Sequence, residues 1–532
     1  MASAASPRHG EPARPYALLS LSDKRGLVAL AQVLLERYTL LASGGTARAL
    51  REAALPVQEV ADYTGAAEIL GGRVKTLHPR VAGGILAQRT PAQLADLGAI
   101  GGLPIDAVFG NLYPFAATVA AHPNDEAAAV EDIDIGGVTL LRAAAKNHAA
   151  VLVCCDPSDY EALGPYLRGE LAEAEALSIR KAMAAKAFAL TAAYDADIAG
   201  YFAASAATGQ APTPGTTPAL PARLHLDLQQ VATLRYGENP HQQAALYREP
   251  GATPAFEQLG GKELSYNNVV DLEAAWAMAR GLAQPAVAVI KHTNPCGFAV
   301  AATPQAALAS ALAADPTSAF GGIIACNRPI GLDFVATLGD LFVELLVAPG
   351  FDDAALLALR RSKRNCRLMA ARVDGIAGGI GLELRVGAFG VLAQTPDPVG
   401  DDPERFRVVS ARQPDDAALR DLHFAWHVAA HVKSNAIVLV RDGAAIGVGA
   451  GQMSRVDAVD LAVRRAGAAV GGAVMASDAF FPFADGIERA AAAGVVAVIQ
   501  PGGSLRDAEV LAAVDRLGMA MVLTGVRHFR HS

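Results

Sequence analysis

The sequence is poor in cysteine, in aromatic residues and in charge. Its five cysteines, Cys154, Cys155, Cys296, Cys326 and Cys366, include no C-x-x-C pair, so neither a zinc site nor a redox dithiol is signalled. Vicinal Cys154 and Cys155 close the apolar run Val151–Val153 and read as buried thiols, because free cysteine packs as a small hydrophobe. Charged residues make up 18% and the net charge is −8. Nucleic acid is therefore not an expected partner, since a general binder needs a broad basic face. Any anionic small substrate must be met by local basic clusters. No apolar run approaches the roughly 20 residues of a membrane-spanning helix, so no membrane partner is expected. The opening M-A-S-A-A-S-P-R-H-G-E-P-A-R-P has no apolar h-region and argues against a secretory signal. Residues 1–15 are expected to form a disordered tail, with a cytoplasmic location as the default.

What is abundant is apolar mass. Hydrophobic residues reach 52% of 532, enough for large buried cores, and the chain is too long for one core. From Tyr16 to Phe202 short apolar runs alternate with helical patterns: strands at Tyr16–Leu19, Thr39–Ala42, Ala107–Phe109 and Val151–Cys155, and helices after Ser22-Asp23, at Ala47–Ala54 and at Ala176–Phe202. Strands separated by helices imply a mainly parallel sheet, with Ser22-Asp23 as a helix cap. Residues 203–222, rich in Pro, Thr, Gly and Ala, read as a linker that cannot sustain a helix. Beyond it two segments look built alike. Ala286–Ile290 is a strand followed by a Lys291-His292 loop and later a helix. Ala436–Val440 is a strand followed by Arg441-Asp442-Gly443, a hairpin signal, then Ile446–Ala450 and a helix after Ser454. Two tandem α/β subdomains fit this pattern.

Several segments concentrate chemistry. V-I-K-H-T-N-P-C-G at Val289–Gly297 places Lys291 and His292 at a strand end, where open α/β sheets gather ligands. Histidine moves protons near neutral pH; the bland alternative is a solvated lysine beside a structural histidine. Ser43-Gly44-Gly45-Thr46 joins a strand to a helix, a place where backbone and helix N-terminus approach an oxyanion. Gly71–Pro79, G-G-R-V-K-T-L-H-P, holds Lys75 for an oxyanion and Arg73 for a forked contact to phosphate or carboxylate. Asp134 precedes Gly136-Gly137 and a helix on which Arg142 and Lys146 share a face; it can bind an amide or merely cap the helix. Tyr113 in N-L-Y-P-F is a rim hydroxyl or a core aromatic. Leu234–Gln242, L-R-Y-G-E-N-P-H-Q, gathers hydrogen-bonding groups in one loop. Lys433-Ser434-Asn435 precedes a strand, Phe480–Phe483 is an aromatic cluster, and Arg527–His531 is basic.

Taken in order, these motifs, with S-D-K at Ser22, S-A-F-G-G at Ser318 and S-D-A-F-F-P-F at Ser477, resemble the purine-biosynthesis family that joins AICAR formyltransferase to IMP cyclohydrolase. The likeness runs from about Tyr16 to the C-terminus. It implies an α/β chain with a methylglyoxal-synthase-like domain at 16–202, which closes the purine ring. It implies a transformylase at 223–532 built of two tandem cytidine-deaminase-like subdomains and working as an intertwined homodimer. The implied substrates are AICAR, formyl-AICAR and 10-formyltetrahydrofolate as cosubstrate, with IMP as product. No metal is implied: zinc deaminases need H-x-E with P-C-x-x-C, and Ala299 stands at the second cysteine position after Pro295-Cys296.

The resemblance also assigns roles. His292 takes the proton of the attacking 5-amino group and Lys291 steadies the oxyanion or feeds the leaving N10. Arg235, Tyr236, His241, Asn435, Phe483, Arg527 and His531 bind or orient the reactants, with Asn435 on the folate side. For ring closure Asp134 positions the amide, and Lys75, Tyr113 and Lys146 manage oxyanion and protons. Lys24, Ser43, Gly44, Gly45 and Thr46 hold the 5′-phosphate, with Arg73 and Thr76 beside them. Arg25 departs from the Thr or Ser that relatives often carry. Two other readings are a regulatory nucleotide-sensing N-terminal module and a zinc nucleotide deaminase.

Overall fold

The computed structural model describes residues 14–208, 220, 223–372, 381–398 and 405–531. The chain divides into two compact units, Met1–His225 and Leu226–Ser532.

In the first unit β1 (Tyr16–Leu21), β2 (Thr39–Ala42), β3 (Gln58–Glu59), β4 (Ile105–Asn111) and β5 (Leu152–Cys154) form one parallel sheet in the order β3-β2-β1-β4-β5. Strands buried on both faces must be apolar at successive positions, and Ala17, Leu18 and Leu19 are all fully buried. Ala17 and Leu19 point to the face covered by α1 (Leu27–Leu34) and α2 (Gly44–Glu52). Leu18 and Val108 point to the other, against α3 (Gly136–Lys146) and α4 (Glu173–Thr208). The strand order reverses beside β1, between β2 and β4. Such a reversal opens a crevice outside the carboxyl ends of the strands.

Three boundaries differ from expectation. Ser22-Asp23 does not cap α1: Gly26 is its N-cap, in the left-handed region, with no side-chain cap bond. Asp23 instead accepts from the N–H and Nε of Arg25 at 2.9 and 2.7 Å. The helix expected from Ala47 begins at Gly44, so the glycine pair forms its first turn. Residues 203–208 are not linker but the end of α4; A-A-S-A-A-T has no Gly or Pro and is mostly alanine, the best helix former. Residues 209–219 and 221–222 of that stretch, and 1–13 of the expected tail, lie outside the described residues. Arg14 and Pro15 are already anchored: Arg14 Nη1 donates to Leu35 C=O at 3.0 Å, and Thr39 N–H to Pro15 C=O at 2.8 Å.

The second unit is a duplication. It contains a hairpin of β6 (Gln229–Leu234) and β7 (Ala244–Arg248), then β8 (Phe256–Gly260), β9 (Ala286–Lys291), β10 (Asn294–Val300), β11 (Gly322–Cys326), β12 (Val343–Ala348) and β13 (Arg367–Ala371). A second hairpin of β14 (Glu383–Gly387) and β15 (Gly390–Gln394) follows, then β16 (Arg407–Val408), β17 (Ile437–Arg441), β18 (Ala444–Gly449), β19 (Val474–Ser477), β20 (Ala497–Gln500) and β21 (Ala520–Leu523). Apart from the hairpins these make one twelve-stranded sheet. Outward from its centre the halves match strand for strand, β10-β9-β11-β12-β13-β8 and β18-β17-β19-β20-β21-β16, with the same parallel and antiparallel senses. Antiparallel pairing of β10 with β18 joins them about an approximate two-fold.

The sequence repeats in register at one constant spacing. D-L-E-A-A-W at Asp271–Trp276, on α5 (Tyr266–Arg280), matches D-L-H-F-A-W at Asp421–Trp426, on α6 (Asp416–Ala429). Ser265 caps α5 as Asp415 caps α6. Gly297 matches Gly447; a Cβ at either would stand 1.9 or 2.2 Å from the carbonyl oxygen of a crossing helix, Ala311 or Ala462. Both central helices lie in one shared core, where Leu272, Trp276, Leu422 and Trp426 meet Ile290 and Val438. The opposite face has a separate core for each half.

Two histidines, His427 on α6 and His431 just beyond its C-terminal end, are sealed in this unit. His427 and His431 are 5% and 7% exposed, with ring centroids 4.9 Å apart. Each is within hydrogen-bond distance of a backbone carbonyl, His427 Nε2 of Met278 at 2.8 Å and His431 Nδ1 of His427 at 2.9 Å. A carbonyl only accepts, so those nitrogens carry the protons. Burial, reinforced by His427, pushes His431 down to about 3. The unfolded chain therefore binds a proton that the folded chain refuses between about pH 6.5 and pH 3. This contribution is complete above pH 6.5 and falls by about 1.4 kcal/mol per pH unit below it. Between pH 7 and pH 5 this group alone is expected to cost about 2 kcal/mol. Denaturant melts of wild type and His431→Phe at the two pH values check it; an equal pH dependence in both proteins would refute the assignment.

Candidate active sites

The crevice of the first unit is a cavity of about 770 Å³. It lies at the ends of β1 (Ser20, Leu21) and β4 (Asn111) and at the first turns of α2 (Ser43, Gly45, Thr46) and α3 (Gly136, Gly137). Both helices offer their free N–H groups and positive end there. Lys24 and Lys75 also line it. A Cβ on Gly45 would stand 3.6 Å from Lys24 Nζ, and one on Gly44 would stand 3.6 Å from Lys75 Nζ. Two ammonium groups thus converge on the positive end of α2, an arrangement that only an anion relieves. Glycine at both positions leaves room for them.

The other wall is acidic and phenolic. Asp134, one residue before the N-cap Ile135, accepts the Gly137 N–H at 2.6 Å through Oδ1, and the Tyr113 N–H also acts on this carboxylate. Burial raises the Asp134 carboxyl above the usual range, while those donors and the Lys75 ammonium draw it back. Tyr113 is a rim residue, 41% exposed. The buried Tyr194 of α4 fixes this wall: its hydroxyl accepts the Asp134 N–H at 2.8 Å and donates to Asp132 C=O at 2.9 Å. The expected helix packing on the outside of the domain therefore also reaches the site.

Three expected contributors are placed otherwise. Lys146 is exposed on the last turn of α3, at the far end from the cavity, and does not line it. Arg73 does line it, but its guanidinium is paired with Glu131 across the exposed rim. The Thr46 hydroxyl is spent on β1, accepting from Leu21 N–H at 3.0 Å and facing Leu21 C=O at 3.2 Å; its place is structural. Arg25 is held away by Asp23. Thr76 is buried against α3, its Oγ1 3.0 Å from where a Gly136 Cβ would be. Asn111 was not singled out. Its Oδ1 accepts the N–H groups of Ser22 and Asp23 at 2.6 and 2.8 Å, and its Nδ2 donates to Asp23 C=O at 2.9 Å. It shapes the loop that carries Lys24, and its place at a strand end was the available signal.

In the second unit K-H-T-N-P-C-G is a tight hairpin, and the helix expected later in the chain follows its second strand, at Pro304–Ala314. His292 and Thr293 are its two central residues, both left-handed (φ 53° and 63°), between β9 and β10. The turn presents the exposed His292 side chain to solvent. Lys291 Nζ donates to Phe320 C=O at 2.8 Å, which gives S-A-F-G-G its place. Thr293 N–H donates to Asp271 Oδ1 at 2.7 Å, and Asn294 Nδ2 to His292 C=O at 3.0 Å.

From this hairpin a polar network runs to the C-terminus. Asn294 Oδ1 accepts Lys433 N–H at 3.3 Å, while Ser434 N–H donates to Arg530 C=O at 2.9 Å and Arg530 N–H to Ser434 Oγ at 3.1 Å. Arg455, on α7 (Arg455–Ala466), donates to Asn435 Oδ1 at 2.8 Å, to Ser477 Oγ at 2.7 Å and to the fully buried Asp478 at 2.5 Å. Asn435 Nδ2 donates to Gln452 C=O at 2.8 Å. K-S-N, S-D and R-H-F-R-H thus meet at one end of the sheet, where His528 and Arg530 are tied down. Arg455 was missed; an arginine at a helix start gives no sequence signal.

The remaining predicted residues lie nearby or apart. Arg235 and Tyr236 flank the start of α5, where Tyr266 N–H donates to Tyr236 C=O at 3.2 Å and Arg235 Nη2 to the Tyr236 hydroxyl at 2.8 Å. His241 is exposed in the following loop. Phe483 is half-exposed under the Arg506 guanidinium at 4.6 Å, whereas Phe481 belongs to the core. Arg527 stacks on Phe529 at 4.2 Å, and His531 meets the same ring. Among the described residues no group of three or more His, Cys, Asp or Glu side chains is arranged to hold a metal, and no helix is long and apolar enough to cross a membrane. Cys296 donates to Val289 C=O at 3.3 Å.

Two α/β units, each with its own convergence of cations and acid–base groups, define an enzyme of anionic small molecules with two sites. Residues 26–139 match the MGS-like domain and residues 144–465 the AICARFT/IMPCHase bienzyme. The chain is 49% identical over 97% of its length to the whole of the bifunctional purine biosynthesis protein PurH of a Cyanothece species. It is 50% identical over 98% of its length to the whole of the protein of that name from Chloroflexus aurantiacus. The chain belongs to the AICARFT/IMPCHase bienzyme family, the bifunctional enzymes of purine biosynthesis with AICAR formyltransferase and IMP cyclohydrolase activity. These matches give no support to a non-catalytic nucleotide-binding reading.

Proposed function

We propose that the second unit transfers the formyl group of 10-formyltetrahydrofolate to the 5-amino group of AICAR, and that the first closes formyl-AICAR to IMP. The 5-amino nitrogen is a weak nucleophile, its lone pair spread into the imidazole ring and carboxamide. His292 takes its proton as the nitrogen attacks the formyl carbon. Lys291, held at the strand end by Phe320, steadies the tetrahedral oxyanion or protonates the leaving N10. Arg235, Tyr236, His241, Asn435, Phe483, Arg527 and His531 bind or orient the two substrates. Asn435 enters with its carbonyl oxygen engaged by Arg455 and one amide proton by Gln452 C=O, which leaves one amide proton for a ligand.

Ring closure is intramolecular: the carboxamide nitrogen attacks the formyl carbon of the same molecule and water departs. Orientation alone supplies much of such a rate, with effective molarities of about 10⁵–10⁸ M. Lys24, Lys75 and the first turn of α2, with Ser43, Gly44 and Gly45, hold the 5′-phosphate. Asp134, with its raised carboxyl, takes and returns the amide proton beside Tyr113, and Lys75 reaches the developing oxyanion. Lys146 has no part in the cavity of its own chain. Each half of the second unit is cytidine-deaminase-like, and the enzyme is a cytoplasmic homodimer that needs no metal.

The convergence of Lys24 and Lys75 on the start of α2 carries this reading, because it demands an anion at the sheet's switch point. Supplied with AICAR and 10-formyltetrahydrofolate, the protein is expected to release IMP and tetrahydrofolate one for one, with or without a chelator. Tetrahydrofolate without IMP would remove the cyclohydrolase half of the proposal.

A further inference from the structure

We infer that Asp271 is a positioning residue of the transfer site, pinning the backbone of the His292–Thr293 turn from the middle of α5. The inference rests on the assignment of His292 to the transfer chemistry and extends it to the group that aims the imidazole. His292 and Thr293 both take positive φ, a region that non-glycine residues enter rarely and β-branched residues still less. Tight two-residue hairpins prefer Asn-Gly or Asp-Gly. His-Thr does not form such a turn unaided, so something else must hold it.

Asp271 holds it from one side. Its carboxylate accepts the Thr293 N–H at 2.7 Å and is also acted on by the His292 N–H. Asn294 holds the His292 carbonyl from the other side at 3.0 Å. The second half of the duplication supplies an internal comparison. At the matching place Asp421 accepts the N–H groups of Asp442 and Gly443 at 2.8 and 2.9 Å. Those two residues are also left-handed, but Asp-Gly is the sequence such a turn favours. The same clamp thus serves both halves. In one it secures a turn that would form readily; in the other it secures a strained turn that carries an imidazole.

Charge adds a second role. Burial raises the half-buried Asp271 carboxyl above the usual range, while the Thr293 N–H, the neighbouring His292 and the Lys433 ammonium draw it back. When His292 takes the proton of the amine, the imidazolium forms within reach of a fixed negative charge. An ordinary structural aspartate has no such relation to the chemical step.

The duplication provides the control for the test. Asp271→Ala, Asp271→Asn, Asp421→Ala and His292→Ala are prepared in the full chain. Each is assayed for formyl transfer, for cyclisation of supplied formyl-AICAR and for thermal midpoint. Asp271→Ala is expected to lower transfer kcat about 100-fold, within the range of acid–base assistance, with the KM for AICAR changed less than about threefold and cyclisation intact. Asp271→Asn, which keeps an acceptor but not the charge, is expected to lose about tenfold and decides the matter if the alanine variant does not fold. Asp421→Ala is expected to lower the midpoint and leave transfer kcat unchanged. Equal effects of the Asp271 and Asp421 changes on transfer would overturn the inference, as would full kcat in both Asp271 variants. Transfer surviving in His292→Ala would instead remove the assignment on which the inference stands.

Discussion

His292→Ala is expected to lower formyl transfer by about 10²–10⁴-fold, the usual worth of a positioned acid–base group, while the same preparation still cyclises supplied formyl-AICAR. His292 is exposed at the tip of a hairpin, so its removal leaves no cavity and no unpaired buried group. The fold has little reason to suffer. Its cost falls on the amine, which must shed a proton as its delocalised lone pair commits to the formyl carbon. The measurement is kcat for tetrahydrofolate release, with cyclisation as the internal standard. Equal loss of both activities with an unchanged melt would contradict a division of labour between the units.

Lys75→Ala is expected to do the reverse, lowering cyclisation by about 10²–10³-fold, the cost of losing one oxyanion donor, with transfer to AICAR preserved and formyl-AICAR accumulating. Lys75 stands close to the start of α2 and also acts on the Asp134 carboxylate, so it serves both the bound anion and the reacting end. Its loss leaves Lys24 and the first turn of α2 to hold the phosphate. Following formyl-AICAR and IMP in one coupled assay separates the outcomes, since a drop in both would place Lys75 in the fold instead of the chemistry.

Much of the first unit was legible because its physics is local. Tyr16–Leu19 and Thr39–Ala42 are short apolar runs, and parallel strands buried on both faces have no other appearance. The motifs around Lys24, Ser43, Lys75 and Asp134 named the cavity because glycines and cations at strand ends have few other uses. Lys146 misled because a helix face says nothing about which end of the helix meets the ligand. The Thr46 hydroxyl misled because its partner, the backbone of Leu21, is far away in sequence. In the second unit D-G at Asp442-Gly443 announced a hairpin, while His292-Thr293, the same turn in an unfavourable sequence, did not. The duplication was visible as two similar stretches, but its register emerged only when D-L-x-x-A-W was seen on two helices in one core. Arg455 and Asp271 remained hidden because an isolated ionisable residue on a helix is usually solvated.

The seam between β10 and β18 makes the two halves of the second unit interdependent. A polypeptide ending within the stretch between β15 and β16 would present β10 as an open sheet border, flanked by α5 with its tryptophan side bare. Unpaired N–H and C=O rows beside bare apolar surface recruit identical strands from other molecules. Separation of the two activities into independent proteins is therefore compatible with a cut near Leu226 and incompatible with one inside the twelve-stranded sheet, where each piece would clump in search of its missing sibling.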